Sequence, residues 1–354
     1  MEKNFLISTG GSGGHVIPAT ILFEHISKKQ NVIITTDKRG LRYFDEDLHN
    51  PKIIDTPKLN NILLLPLNLI KIFFLTISSF FLLKREKIDK LISTGGYMSL
   101  PLILAGKLLK LEIFLLEPNL VLGRANRYFI KSCKKIFCYS EQIKNFPNNL
   151  KDKIVTINPL VRKATYDFKN SDKEKNKFVI LVVGGSQGAD IFDNKLKDKI
   201  LNISRKNDIK IIQQTKSENI TDLKNFYSKN NIESEIFNFD KDFIKIINQS
   251  DICITRAGAS TLAEMSVLKT PFIAIPLPSS KDNHQLENAK FYQDNNCCWL
   301  VEQSVFEDKI EEILSDILKD KTDYVKKREN LERLNYQNTW INVNQKILRT
   351  INEN

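Results

Sequence analysis

The feature that most constrains this chain is an apolar strand-sized run that breaks into a glycine turn and then a helical pattern, and it occurs twice. The first copy is Phe5-Leu6-Ile7, followed by Ser8-Thr9-Gly10-Gly11-Ser12-Gly13-Gly14-His15 and a helical pattern from Val16. The second is Phe178-Val179-Ile180-Leu181-Val182-Val183, followed by Gly184-Gly185-Ser186-Gln187-Gly188-Ala189. Glycine at such a turn takes positive φ without a steric penalty and lets the backbone approach a ligand. The helix start behind it offers unpaired N–H groups and partial positive charge. The spacing matches neither the dinucleotide fingerprint nor a phosphate loop closed by Gly-Lys-Ser/Thr.

Around these turns, β-like runs alternate with helical patterns. In the first half they fall at 4–8, 31–35, 52–55, 88–92, 112–116, 135–139 and 154–157; in the second at 178–183, 209–213, 234–237, 251–255, 271–275 and 297–301. Such alternation predicts α/β architecture, with two Rossmann-like, doubly wound parallel sheets, one per half. Asn158-Pro159-Leu160-Val161-Arg162 breaks the rhythm and a polar stretch follows, so a linker is expected near 158–177 and domains at 1–160 and 161–337. Residues 305–335 read as charged amphipathic helices and the stretch around 340–348 as a terminal helix.

Charge is distributed unevenly. Residues 1–160 hold 23 Lys/Arg and 13 Asp/Glu, a net of +10; the remainder holds 30 and 29, a net of +1. A basic half beside a neutral one points to an anionic surface. The aromatic and basic interleaving of single-strand nucleic-acid binders is missing, so nucleic acid is not expected. Residues 62–83 are the most apolar stretch, with Asn68, Lys71, Ser78 and Ser79 forming a narrow stripe and Lys84, Arg85, Lys87 and Lys90 following. Three readings compete: a transmembrane helix, which needs about 20 apolar residues and is interrupted here by Pro66 and Lys71; a buried core helix; and a helix lying in a membrane interface with the basic residues on head groups. The charge asymmetry favours the third. Five cysteines without paired spacing read as reduced thiols of a cytosolic protein, and the short opening apolar run is not a secretory signal. Asp45-Glu46-Asp47 and Asp240-Lys241-Asp242 have Asp-x-Asp spacing but read as solvated faces, so no metal and no cofactor is expected.

Ligands of doubly wound sheets sit beyond the carboxyl ends of strands. The turns there carry the chemistry: the first glycine turn with His15, Ser93-Thr94-Gly95-Gly96-Tyr97, Glu117-Pro118-Asn119 leading to Asn126, and in the second half Ser186, 256–264 and Gln285. These contents suit a nucleotide diphosphate. Ser186 and neighbouring N–H groups suit phosphate, Glu264 in the first turn of its helix suits two ribose hydroxyls, and Gln285 suits sugar hydroxyls. Arg162 offers a fork to a phosphate. His15 is the best base in the glycine cluster.

In this order, Gly10-Gly11-Ser12-Gly13-Gly14-His15-Val16-Ile17-Pro18, Gly95-Gly96-Tyr97, Gly184-Gly185-Ser186-Gln187-Gly188-Ala189, Arg256-Ala257-Gly258-Ala259 with Glu264, and Asp282-Asn283-His284-Gln285 with Asn288-Ala289 resemble one family over residues 1 to about 300. It is the undecaprenyl-diphospho-muramoylpentapeptide β-N-acetylglucosaminyltransferases of peptidoglycan synthesis. The resemblance implies two Rossmann-like domains of GT-B type facing a cleft, with a terminal helix, about 338–354, returning to the first domain. It implies inverting transfer of GlcNAc from UDP-GlcNAc to the 4-hydroxyl of lipid-linked muramoyl pentapeptide, without metal. It also implies a peripheral position on the cytoplasmic face of the inner membrane, on an anionic surface and with other cell-wall synthesis proteins as candidate partners. Site roles carry over by motif: His15 as base; Gly11, Ser12, Gly13, Gly14, Asn119, Arg162, Ser186, Ala259, Ser260, Thr261, Leu262, Ala263, Glu264 and Gln285 on UDP-GlcNAc; Gly95, Gly96, Tyr97 and Asn126 on the acceptor. The chain departs from the family pattern at Leu116 and Pro118, which flank Glu117, and in the residue added before Arg162. Two rival readings are a UDP-GlcNAc 2-epimerase and a non-catalytic nucleotide-sugar-binding module at the membrane.

Overall fold

The computed structural model describes residues 3–57, 63–168, 177–185, 190–238, 240 and 242–353. The chain divides into two compact units, one of residues 1–160 with 340–354 and one of residues 161–339.

In the first unit the strands are β1 (Asn4–Ser8), β2 (Asn31–Thr36), β3 (Lys52–Ile53), β4 (Lys90–Ser93), β5 (Glu112–Glu117), β6 (Lys135–Cys138) and β7 (Ile154–Thr156). Its helices are α1 (Gly13–Ile26), α2 (Glu46–His49), α3 (Leu65–Arg85), α4 (Leu100–Leu108) and α5 (Arg124–Phe129). The sheet is parallel throughout, in the order β3-β2-β1-β4-β5-β6-β7. Successive side chains of a strand point to opposite faces, and here both faces are covered. Phe5 and Ile7 join one core and Leu6 the other; Phe114 and Leu116 oppose Ile113 and Leu115 in the same way. That explains why these strands read as unbroken apolar runs.

The second unit continues with α6 (Lys163–Asp167), β8 (Phe178–Val183), α7 (Lys197–Ser204), β9 (Ile209–Gln214), α8 (Ile220–Lys229), β10 (Glu233–Phe237), α9 (Phe243–Gln249), β11 (Ile252–Thr255), α10 (Ala259–Val267), β12 (Phe272–Ala274), α11 (His284–Asp294), β13 (Cys298–Leu300), α12 (Phe306–Lys319) and α13 (Thr322–Leu334). Its parallel sheet runs β10-β9-β8-β11-β12-β13. Ile180 and Val182 pack into one core and Val179, Leu181 and Val183 into the other. Helix α12 buries Phe306, Ile310, Leu314 and Ile317, one stripe at helical spacing. The last helix, α14 (Trp340–Asn352), packs its Val343, Ile347 and Ile351 into a core of the first unit.

In both sheets the strand order reverses beside the first strand of the unit, between β1 and β4 and between β8 and β11. Ser8 pairs with Ser93 and Val183 with Thr255 at the strand ends. The turns that follow therefore leave each sheet side by side, which is where doubly wound sheets bind ligands.

Two expectations change. The core-helix reading of 62–83 fails for α3: only 11% of its most apolar window is buried, and Leu67, Ile70, Phe73, Phe74 and Phe81 are exposed. Of the polar stripe, Ser79 faces inward with Ile72 and Leu83 while Lys71 and Ser78 are exposed, so the outward face is apolar apart from those two. Lys90 is not a head-group ligand. It is 1% exposed in β4, where its ammonium donates to Glu112 at 3.2 Å and to the Ile351 carbonyl. Residue 62 and part of the expected linker, 169–176, lie outside the described residues.

Candidate active site

The first site surrounds the switch point of the first sheet. Gly11 and Gly95 have φ of +83° and +87°, a region that side chains avoid, and a Cβ on Gly95 would sit 3.3 Å from the Asn126 amide and 3.5 Å from the His15 ring. Thr94 Oγ1 donates to Thr9 Oγ1 at 2.8 Å and so ties the two turns together. Gly13, Gly14 and His15 open α1, with Ser12 at its cap position. The half-buried His15 holds Nδ1 2.8 Å from the Thr94 carbonyl. A carbonyl only accepts, so Nδ1 carries the proton and Nε2 carries the lone pair of the neutral ring.

Beyond β5, Glu117 organises the third turn. Its buried carboxylate accepts from Gly123 N at 2.7 Å, Asn126 Nδ2 at 3.0 Å, and Asn119 N and Nδ2 at 3.2 and 3.1 Å. Burial raises its pKa while these donors pull the other way. The Asn126 side chain also donates to the Leu116 carbonyl at 3.0 Å, and its own carbonyl oxygen is buried without a hydrogen-bond partner among the described residues. Tyr97 opens a short 3-10 turn straight after Gly96.

The second site surrounds the switch point of the other sheet. Gly185 has φ of +77° with open space where a Cβ would stand; Ser186 lies outside the described residues. Gly258 caps α10, which carries Ala259, Ser260, Thr261, Leu262, Ala263 and Glu264. The Ser260 hydroxyl is buried and has no hydrogen-bond partner among the described residues. Glu264 is the sixth residue of α10, in its second turn rather than its first, so the terminal dipole is not what holds it. A fork does: Arg162 Nε and Nη2 donate to Glu264 Oε1 and Oε2 at 2.7 and 3.0 Å, with the carboxylate almost fully buried. Burial alone would lower the Arg162 pKa, but Glu264 holds it above its ordinary value. Gln285 Oε1 accepts from Leu277 N at 2.9 Å, fixing α11 to the turn after β12.

Residue matching agrees with this geometry. Residues 5–138 match the glycosyltransferase family 28 N-terminal domain and residues 179–338 its C-terminal domain. The chain belongs to glycosyltransferase family 28. It is 46% identical, over the full length of both chains, to a Pelagibacter ubique protein named UDP-N-acetylglucosamine--N-acetylmuramyl-(pentapeptide) pyrophosphoryl-undecaprenol N-acetylglucosamine transferase. A Rickettsia bellii protein of the same name is 33% identical over 89% of this chain and 91% of its own. Among solved structures, Acinetobacter baumannii MurG superposes with a TM-score of 0.77 at 23% identity, covering 99% of both chains. UDP-GlcNAc 2-epimerase from Neisseria meningitidis reaches 0.70 at 15%, covering 99% and 100%. At these identities both likenesses are of fold, the GT-B type of paired Rossmann-like units.

Four further residues lie at these turns: Arg256, Asn288 and Glu117 stand in the quoted sequence motifs without a role of their own, and Asp193 stands in none. Arg256, 9% exposed at the end of β11, makes no ion pair among the described residues; it donates to the Ile275 carbonyl at 3.1 Å and to Gln303 Oε1 at 2.7 Å, and burial lowers its pKa. Asn288 donates to the Ala257 carbonyl at 3.2 Å, joining α11 to the turn after β11. Asp193, on a π-helical turn behind the second glycine turn, accepts from Gln213, Thr215 and Asn219 at 2.6–2.9 Å. The fourth is Glu117. Their signal was a polar residue inside an apolar context, but the partners lie too far along the chain to be paired by spacing. Among the described residues no group of three or more His, Cys, Asp or Glu is placed to hold a metal.

Proposed function

We propose that this chain transfers GlcNAc from UDP-GlcNAc to the 4-hydroxyl of undecaprenyl-diphospho-MurNAc-pentapeptide, with inversion, giving UDP and the lipid-linked disaccharide of peptidoglycan synthesis. The observation that carries the reading is the bond between His15 and the Thr94 carbonyl, which puts the lone pair of the neutral ring on Nε2, among the glycine turns. In the transfer, the 4-hydroxyl oxygen bonds the anomeric carbon. The bond from that carbon to the β-phosphate oxygen breaks, its electron pair leaves with UDP, and the hydroxyl proton passes to Nε2 of His15. Gly95, Gly96, Tyr97 and Asn126 bind the acceptor, and Asn119 and residues 11–14 border the donor sugar.

In the second unit, Glu264 receives the ribose hydroxyls. A carboxylate offers about four lone-pair sites and the Arg162 fork uses two, so two remain for the diol. The start of α10, the Ser260 hydroxyl, Ser186 and Arg162 stabilise the diphosphate as it departs, and Gln285 reads the sugar. The enzyme works as a peripheral protein on the cytoplasmic face of the inner membrane, with the apolar face of α3 in the interface and Lys84, Arg85 and Lys87 on anionic head groups. The full-length likeness to the Pelagibacter ubique transferase supports the substrate pair.

The test is purified protein with radiolabelled UDP-GlcNAc and lipid-linked muramoyl pentapeptide in detergent. Label extracted into the lipid phase is the expected result. Label recovered only as free sugar or as the 2-epimer overturns the transferase reading.

A further inference from the structure

Behind the first glycine turn lies a charged assembly that neither the base nor the acceptor turn accounts for. Asp37, the residue after β2, is 1% exposed. Its Oδ1 accepts from Gly11 N at 2.8 Å and Gly40 N at 3.0 Å, and its Oδ2 from Arg39 Nε at 2.9 Å and Nη2 at 2.6 Å. The second Nη2 hydrogen goes to the Tyr97 hydroxyl. Arg39 thus bridges the first glycine turn to the Gly95-Gly96-Tyr97 turn, with its guanidinium 5.4 Å from the Tyr97 ring centre and Nη2 3.6 Å from where a Cβ on Gly11 would lie. A guanidinium has five N–H groups, and three are used. The two on Nη1 have no acceptor among the described residues, on a side chain that is 44% exposed.

We propose that Arg39 is an acceptor-binding residue: Asp37 and Tyr97 fix its plane so that the open Nη1 edge takes a phosphate oxygen of the lipid-linked acceptor at the mouth of the glycine turns. This rests on the transferase reading above. A planar donor held on two sides has lost its rotamer freedom before the ligand arrives, so little entropy is lost on binding. Phosphate is the fitting anion because it accepts from such an edge with charge assistance. The same chemistry on a phospholipid head group is the competing source.

The experiment compares wild type with Arg39→Gln, Arg39→Lys and Tyr97→Phe in non-ionic detergent without phospholipid. Arg39→Gln raises the acceptor KM at least tenfold with the UDP-GlcNAc KM within twofold; Arg39→Lys, which keeps a cation beside Asp37, falls between; Tyr97→Phe, which unfixes the plane and also takes one hydroxyl from the acceptor turn while leaving the Arg39 cation in place, raises the acceptor KM less than Arg39→Gln, about threefold. Independently of turnover, inorganic pyrophosphate is titrated calorimetrically into protein saturated with UDP, and Arg39→Gln binds it at least fivefold more weakly. An acceptor KM within twofold of wild type, a donor KM that rises in step with it, unchanged pyrophosphate binding, or an effect confined to binding of phosphatidylglycerol vesicles each overturns the proposal. Wild type that transfers nothing but loses pyrophosphate binding on Arg39→Gln overturns the transferase reading and leaves the anion site standing.

Discussion

As the proposed base, His15 works only if the right nitrogen is basic, and a single carbonyl decides that. With Thr94 O at Nδ1, the neutral ring presents its lone pair at Nε2. On that proposal, removing the ring removes the proton acceptor of the first site. His15→Ala should therefore lower kcat by about 10²–10⁴-fold, the usual worth of a positioned base, while calorimetric affinity for UDP-GlcNAc stays within about threefold. Turnover at the wild-type rate would remove His15 as the base. Residues of this kind can be proposed from the sequence because each has a narrow physical task at a fixed step from a strand end: glycine where φ is positive, histidine at the helix mouth, Glu264 and Gln285 on the helices that follow. Arg39 and Asp193 could not be, and the motif residue Arg256 carried no role, since their meaning lies in partners that only folding assembles. The Arg162 and Glu264 fork joins positions 102 residues apart, and no spacing rule reaches that far. The placement of Glu264 in a first turn failed for a smaller reason: the sequence does not show that Gly258 is the cap.

Among elements, the strands were the clearest because burial on both faces demands continuous β-branched and aromatic runs, as in β8. Helix α3 was the least clear. Its composition suits a core, a membrane span or an interface equally, and what distinguishes them is which face the protein covers. The structure leaves Leu67, Ile70, Phe73, Phe74 and Phe81 outward while α4 packs on the other side. Moving a phenylalanine side chain from water into an apolar phase contributes about 1.5–3 kcal/mol, and 1.4 kcal/mol is tenfold in affinity. Phe73→Ser with Phe74→Ser should then weaken binding to phosphatidylglycerol vesicles at least tenfold in sedimentation, with the circular dichroism spectrum unchanged because neither ring is in the core. Equal vesicle binding would show that α3 is covered by something other than lipid.

At the scale of the molecule, the last helix decides the integrity of the basic unit although it is last in the chain. Helix α14 inserts Val343, Ile347 and Ile351 into the core that holds Phe5 and Ile7 of β1. Its carboxyl end is held by lysines, Lys90 on the Ile351 carbonyl and Lys134 on the Glu353 carbonyl at 2.9 Å, where cations favour a helix end. Its amino end is held by His25. That ring is 1% exposed, stacks on Trp340 at 3.7 Å between centroids, and accepts from Asn344 Nδ2 at 3.2 Å through Nδ1. Burial, aided by Lys28, drops its pKa from 6.5 to about 3. The sign follows from proton uptake: between those values the unfolded chain binds a proton that the folded ring refuses, so stability is full above pH 6.5 and falls as the medium is acidified. From pH 7 to pH 5 that loss is about 2 kcal/mol for the one group. His25→Phe keeps an aromatic ring against Trp340 but does not titrate. Urea denaturation at the two pH values should show wild type losing about 2 kcal/mol more than the variant over this window; losses of equal size would mean that His25 is protonated in the folded protein and that α14 is held there by other contacts.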